Sequence, residues 1–210
     1  MIAVVCPRCL GELARTPDAL ECARCPGRYP LVAGIPDLRL GYPDPYVSWE
    51  QDVALARQLE ALAEDLDFAG LLREHWRMSG KHPELAERFV AIELDSAEKA
   101  EAYVEEIEHE RSRTLAPGDT FLEIGCGTAA LATAAARRGA AAVASDISMR
   151  WLVLARKRLR DEGVEGVELV CCAAEEPPFP GETFDAVAAS DVIEHTERQA
   201  AFVAGCARVL

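Results

Sequence analysis

The 210-residue sequence predicts an α/β fold: a parallel sheet built from alternating strands and helices, preceded by a small metal-stapled ribbon and a helical connector. Three observations carry that expectation. Cys6, Cys9, Cys22 and Cys25 form C-x2-C, a twelve-residue spacer and a second C-x2-C. Between residues 53 and 113, apolar side chains recur at helical spacing among many acids. From residue 120, short apolar runs alternate with helical stretches punctuated by glycine. The predicted segments are therefore residues 1–38, 39–118 and 119–210.

In the first segment, two residues between paired cysteines let one tight turn aim both sulfurs at a single metal. Two such turns close a tetrahedron with bonds of about 2.3 Å and no open position, so Cys6, Cys9, Cys22 and Cys25 predict a structural zinc site. Pro7 and Gly11 flank the first turn, and Pro26 and Gly27 the second. A redox role fits poorly, because "CPRCLGEL" leads into a glycine turn and not into a helix. Cys126, Cys171, Cys172 and Cys206 lie on or near apolar stretches and predict small core residues.

Residues 41–50, "GYPDPYVSWE", form a proline- and aromatic-rich linker. Val53, Leu55, Leu59, Leu62, Leu66 and Phe68 then give an apolar helical stripe, continued by Leu71, Leu72 and Trp76 after Gly70. Gly80 and Pro83 interrupt it, and Leu85, Phe89 and Ile92 resume it. Asp95 or Ser96 caps an acidic helix over residues 97–113, and Pro117-Gly118-Asp119 closes the region.

The third segment predicts strands over residues 121–124, 141–145, 167–172 and 184–189. Helices are expected over 128–138, 148–162 (capped by Ser148) and 198–210. Right-handed crossovers put the strand ends on one edge, where ligands bind. There, "FLEIGCGTAA" runs from a strand through a glycine turn into a helix, so Gly125 and Gly127 allow close backbone approach to a ligand. Gly125, Gly127 and Ala130 equally satisfy a dinucleotide fingerprint, and Asp146 at the next strand end suits a ribose in either reading. Glu123 separates the two: a carboxylate under the turn repels a phosphate and welcomes an ammonium group.

Charge and hydropathy narrow the function. The formal charge is −14, of which −10 falls in residues 37–118. Such a field repels phosphate backbones and disfavours nucleic acid as a partner. The basic run Arg150, Arg156, Lys157, Arg158 and Arg160 is the local exception, either a solvated helix face or a docking patch. No uncharged stretch reaches the roughly 20 residues of a membrane span, and "MIAVVCPRCLGELAR" has no secretory pattern. These exclusions predict a soluble, cytoplasmic protein without a membrane partner.

Two resemblances sharpen this. The paired cysteines with "GRYPLVAGIPDL" resemble the small zinc-ribbon family whose members bind and activate methyltransferases acting on tRNA and release factors. A protein partner at the ribbon is thereby implied. "FLEIGCGTAA", Asp146 and "EEPPFPGETFDAVAASDVIEHT" resemble class I S-adenosylmethionine-dependent methyltransferases, in the branch that includes quinone-biosynthesis enzymes. The implied fold is a Rossmann-like methyltransferase core, and the implied reaction is methyl transfer to a small-molecule acceptor.

The second resemblance assigns Glu123, Gly125, Cys126 and Gly127 to the methionine moiety of the donor. It gives Asp146 to the ribose hydroxyls and Ile147 to the adenine face. Ala129 replaces the usual third glycine, and Ala173 replaces an acid that meets the adenine amino group, leaving backbone contacts from Ala173 or Ala174. Asp191 and His195 sit where acceptor and donor meet. His195 is either a base for a hydroxyl acceptor or a helix-entry residue. Asp191, Glu194 and His195 also resemble the E-x-x-E-H cation site of some relatives. Because "CARVL" ends before the turn leading to the family's fifth strand, the resemblance implies a sheet left incomplete. Two other functions stay open: a tRNA or rRNA methyltransferase docking through its ribbon, and a non-catalytic ribbon adaptor that activates a partner methyltransferase. The separation into segments implies that loss of the ribbon's metal leaves the donor site intact.

Overall fold

Each predicted layer is present in the computed structural model, which describes residues 2–41 and 47–210. Residues 42–46 of the expected linker lie outside the described residues. The ribbon consists of β1 (Leu13–Arg15), β2 (Ala19–Cys22), β3 (Arg28–Val32) and β4 (Ile35–Pro36), antiparallel in that order. The connector holds α1 (Trp49–Leu62), α2 (Phe68–Met78), α3 (Pro83–Leu94) and α4 (Ser96–Glu110). Ser48 and Gln51 form a capping box at the start of α1, and the Asp67 side chain caps α2.

The third segment contains β5 (Thr120–Ile124), α5 (Ala130–Arg137), β6 (Ala141–Asp146), α6 (Met149–Asp161), β7 (Val167–Cys171), β8 (Ala186–Ala188), a 3-10 turn (Ile193–His195) and α7 (Gln199–Val209). Its strands pair in parallel in the order β7-β6-β5-β8. Several elements are shorter than their pattern suggests, and the acidic helix expected over 97–113 ends at Glu110. The expected fourth strand of 184–189 reduces to three residues, and Thr128 and Ala129 join the turn before α5. No helix among the described residues is long and apolar enough to cross a membrane.

The alternation of side chains across the strands produces two cores. Phe121, Ala142, Ala144 and Cys171 face α5, α6 and the connector helices, where small alanines let the helices approach closely. Leu122, Ile124, Val143 and Val170 face the other way and pack with Phe202 and Val209 of α7 and with Leu20, Tyr29 and Leu38 of the ribbon. The ribbon is therefore one cover of the sheet and not a tethered arm. It also covers one end of the sheet's edge: Asp37 bridges to Cys171 in parallel, and the Leu38 N–H donates to the Cys171 carbonyl at 2.8 Å. An exposed strand edge is an aggregation hazard, and this contact shortens the open edge of β7 at its carboxyl end.

The basic run on α6 is a solvated face only at Arg160, which is exposed; the remainder is drawn into pairs within the chain. Arg156 pairs with Glu60, Arg160 with Glu64 at 3.0 Å and Lys157 with Asp161 at 2.9 Å. Arg158 is 1% exposed and bonds Glu162, Ser96 and Thr128. The sequence alone suggests outward-facing charges because Glu60 of α1 and Glu64 just after it lie 96 positions from their partners. Part of the connector's acidity is thereby offset by α6.

Candidate donor site and cysteine cluster

At the carboxyl ends of β5 and β6, a cavity of about 470 Å³ opens between the glycine turn, the β6–α6 junction and the segment after β8. That volume lies within the ordinary range for small-molecule sites. Gly125, Gly127, Asp146, Ile147, Ala174, Asp191 and His195, all expected site residues, line it. Glu123, Cys126 and Ala173 do not.

Gly125 and Gly127 have φ of +68° and +50°, which bend the chain sharply out of β5 and leave its backbone facing the cavity. Ala129, in place of the family's third glycine, adopts the same left-handed region at φ 60°. Between the two glycines the Cys126 side chain turns into the core, and burial pushes its thiol well above the usual range. Its N–H is bonded to the Ser145 carbonyl.

Glu123 corrects the sequence reading. Its carboxylate is buried and accepts the N–H of Ala132 at 2.7 Å and of Leu131 at 3.4 Å. It serves the first turn of α5, whose N-cap residue Ala129 has no side-chain oxygen to offer. Burial pushes Glu123 up to about 8, opposed by those same two N–H donors. The residue holds the helix against the strand from below and does not reach the cavity.

Asp146 ends β6 with both carboxylate oxygens engaged. Oδ2 accepts the Gly127 N–H at 2.9 Å and Oδ1 the Ser148 N–H at 2.8 Å, so the acid is tied to the glycine turn and to α6 at once. Burial raises its pKa, with those two N–H donors pulling the other way. Opposite, Asp191 has a left-handed φ of 54°, which aspartate adopts more readily than most side chains, and His195 is exposed on the following turn. Glu175 joins the lining, giving three carboxylates to the single guanidinium of Arg150. An acidic cavity of this kind suits a cationic ligand and opposes a phosphate-rich one.

Sequence reading misses Ser148, Arg150, Trp151, Cys172 and Glu175 as lining residues. Arg150 and Trp151 lie on the first turn of α6, four and five positions after the strand-end acid. That offset is the one local signal for them. They also wall a second cavity of about 660 Å³ between α1, α2 and α6, with His75, Trp76 and Lys81. His75 is buried against Trp76 and Trp151, and burial together with the Arg150 charge lowers its pKa to about 4.

A histidine held neutral in the fold takes up fewer protons than in the unfolded chain, whose value is about 6.5. Stability contributed by neutral His75 is complete above that value and is lost as pH falls through about 4. Urea unfolding should therefore cost the wild type about 3 kcal/mol more between pH 7 and pH 4 than it costs His75→Gln. Equal losses in the two proteins would exclude this origin.

The four ribbon cysteines gather with all sulfurs within 4.8 Å of one another. Cys6 and Cys25 lie 3.6 Å apart and Cys9 and Cys22 3.5 Å, near the roughly 3.8 Å edge of a zinc–thiolate tetrahedron. The Arg24 N–H points at the Cys22 sulfur and the Tyr29 hydroxyl stands 3.1 Å from that of Cys6. The cluster thus fits a metal and its outer hydrogen bonds. Among the described residues no other group of three metal-ligating side chains comes together, and Asp191, Glu194 and His195 do not converge.

Residues 122–210 match the profile of the Methyltransferase domain family. The ubiquinone biosynthesis O-methyltransferase of Parvibaculum lavamentivorans is 39% identical over 90 residues, which are 43% of this chain and 35% of that protein. A protein of the same name from Rhizobium etli (strain CIAT 652) is 30% identical over 149 residues, 68% of this chain and 56% of that one. The chain thus spans about a third to just over half of the length of these curated relatives. A Methanococcus maripaludis protein of solved structure, whose proposed activity is S-adenosyl-L-methionine-dependent methyl transfer, superposes with a TM-score of 0.51 at 20% identity, covering 57% of this chain and 55% of that one. The fold is the Rossmann-like methyltransferase fold.

Proposed function

We propose that this chain is an S-adenosylmethionine-dependent methyltransferase acting on a small-molecule acceptor, with zinc held by its N-terminal ribbon. The observation that carries the reading is Asp146, fixed by two N–H donors beside the glycine turn at the mouth of an acidic cavity. A carboxylate held in that way can accept both hydroxyls of a ribose. The lining acids Asp146, Glu175 and Asp191 favour a sulfonium-bearing, amino-acid-tailed donor over a dinucleotide whose phosphates they would repel. The segment's match to the methyltransferase profile points the same way.

The donor supplies an already activated methyl group. The chain's own task is then to hold, align and exclude water. Gly125 and Gly127 present backbone to the donor's amino-acid tail, Asp146 takes the ribose, and Ile147 lines the adenine side with Ala174. Cys126 spaces the two glycines with its N–H tied to the Ser145 carbonyl, and Ala173 lies next to the lining residues Cys172 and Ala174. His195, at the cavity rim with Asp191, would take the proton of a hydroxyl acceptor. The second cavity shares Arg150 and Trp151 with the first and offers an aromatic-walled space for that acceptor. Internal pairing of the basic run on α6 leaves no cationic stripe there for RNA. The packing of the ribbon's Leu20, Tyr29 and Leu38 on this chain's own sheet supports an intramolecular role for it.

Calorimetric titration with S-adenosylhomocysteine tests the donor site. The wild type should bind, and Asp146→Ala should weaken binding about a hundredfold or more, since it removes two hydrogen bonds to a charged acceptor. Absence of binding by the zinc-loaded wild type would reject the reading. A screen of hydroxyl-bearing acceptors with labelled methyl donor then tests the reaction itself.

A further inference from the structure

The ribbon and the donor cavity are joined by a buried ionic network. The chain leaves β4 along β7, so the backbone of Asp37 and Leu38 is pinned to Cys171 while the Asp37 N–H still bonds Pro30 of the ribbon. Arg39 grips Asp37 with two parallel bonds, Nε to Oδ1 at 2.7 Å and Nη2 to Oδ2 at 2.6 Å. Its remaining arm, Nη1, donates to Asp52 of α1 at 2.8 Å and to the Ile147 carbonyl at 2.9 Å. Asp52 in turn accepts the Ser148 hydroxyl and the Met149 N–H, both at 2.9 Å. The side chains of Asp37, Arg39 and Asp52 are wholly inaccessible to solvent.

These contacts converge on residues 147–149, directly after Asp146. Ile147 and Ser148 line the cavity, and the Ser148 N–H is one of the two donors that orient the Asp146 carboxylate. Ser148 stands at the N-cap of α6 yet its own oxygen makes no cap bond; Asp52, from another helix, meets the first N–H of α6 in its place. Buried ion networks contribute little net stability compared with apolar packing, so what this one provides is orientation. Bidentate, directional bonds in a low-dielectric interior fix a loop in one arrangement.

We propose that Asp37, Arg39 and Asp52 are positioning residues for the donor site, and that through them metal binding by the ribbon cysteines sets the affinity for the donor. The inference rests on the donor-site reading above. It reverses the expectation that the ribbon's metal and the donor site are independent. Loss of metal frees β3 and β4, Asp37 and Arg39 lose their registration on β7, and the loop around Asp146 loosens. Linkage requires the converse as well: a bound donor raises metal affinity by the same factor.

The test uses the full chain, titrated with S-adenosylhomocysteine when zinc-loaded and after chelation, with thermal unfolding to confirm a folded sample. Chelation of the wild type and Asp52→Asn should each weaken binding about tenfold. Chelating Asp52→Asn should weaken it further by less than about threefold, because both act through one network. Ser148→Ala, which keeps every charge paired, should cost about threefold and decides the matter if Asp52→Asn does not fold. Competition with a chromophoric chelator should report zinc bound about tenfold more tightly when S-adenosylhomocysteine is present. Unchanged affinity in Ser148→Ala and Asp52→Asn would overturn the positioning role, and unchanged affinity after chelation would overturn the coupling to metal. A zinc-loaded wild type that does not bind at all removes the donor-site reading and this inference with it.

Discussion

Arg39→Met is expected to destabilise the chain by about 3–5 kcal/mol, the cost of leaving buried carboxylates without their cation. Asp37 and Asp52 would stay enclosed, and each would lose its shortest bond to a charged donor. Asp37 would retain the Trp49 indole N–H at 3.1 Å, and Asp52 the Ser148 and Met149 donors. Those donors are uncharged, so Asp37 is left without its cation, while Asp52 keeps Arg150 at the longer distance of 3.7 Å. Methionine fills most of the arginine's volume, so a cavity adds little. Guanidinium denaturation with an unchanged slope would report the loss. A change below about 1 kcal/mol would mean that water reaches the network.

The companion variant Asp37→Asn/Arg39→Met/Asp52→Asn separates charge from orientation. It removes the uncompensated acids and should recover much of the stability. Recovery should be incomplete, because an amide at position 52 has only one oxygen where Asp52 offers two to α6. The shortfall measures what Asp52 does as a borrowed helix cap.

What is legible in the sequence follows the same division. The cysteine quartet, the glycine turn and Asp146 stand out because their chemistry depends on neighbours within a few residues. Strand period places Asp146 at the carboxyl end of a strand with no knowledge of the remainder of the chain. The Asp37–Arg39–Asp52 network is not legible, since Arg39 meets Ile147 across 108 positions and Asp52 meets Ser148 across 96. Each residue alone resembles an ordinary surface charge. Ser148 illustrates the boundary: it occupies the cap position expected of it, but tertiary packing diverts its oxygen. Glu123 does lie beneath the turn as its position in the strand predicts, yet its partners belong to the helix and not to a ligand. The ribbon's spacing predicts a metal, while nothing local predicts that its apolar face covers the sheet.

Gly125→Ala should be the most damaging single methyl in the donor site, for two separable reasons. At φ +68° any Cβ opposes the backbone, which costs about 1–2 kcal/mol. An added Cβ would also lie far inside van der Waals contact with Cγ2 of Val192, a stiff, largely buried side chain that lines the same cavity. Overpacking of this kind adds about 1–3 kcal/mol, for a total near 3 kcal/mol. Gly127→Ala is the control. Its φ is +50° but its Cβ would meet nothing within 4 Å, so it should show the backbone cost alone. Adding Val192→Ala to Gly125→Ala should recover the steric part and leave the backbone part, which a double-mutant cycle by urea unfolding resolves. Relief of Val192 should also restore part of the affinity for S-adenosylhomocysteine, because displacement of that side chain moves the neighbouring Asp191 and His195 at the cavity rim. Equal stability losses at Gly125 and Gly127, with no coupling to Val192, would show that the turn yields at the contact and that close approach to the segment after β8 is not what requires glycine there.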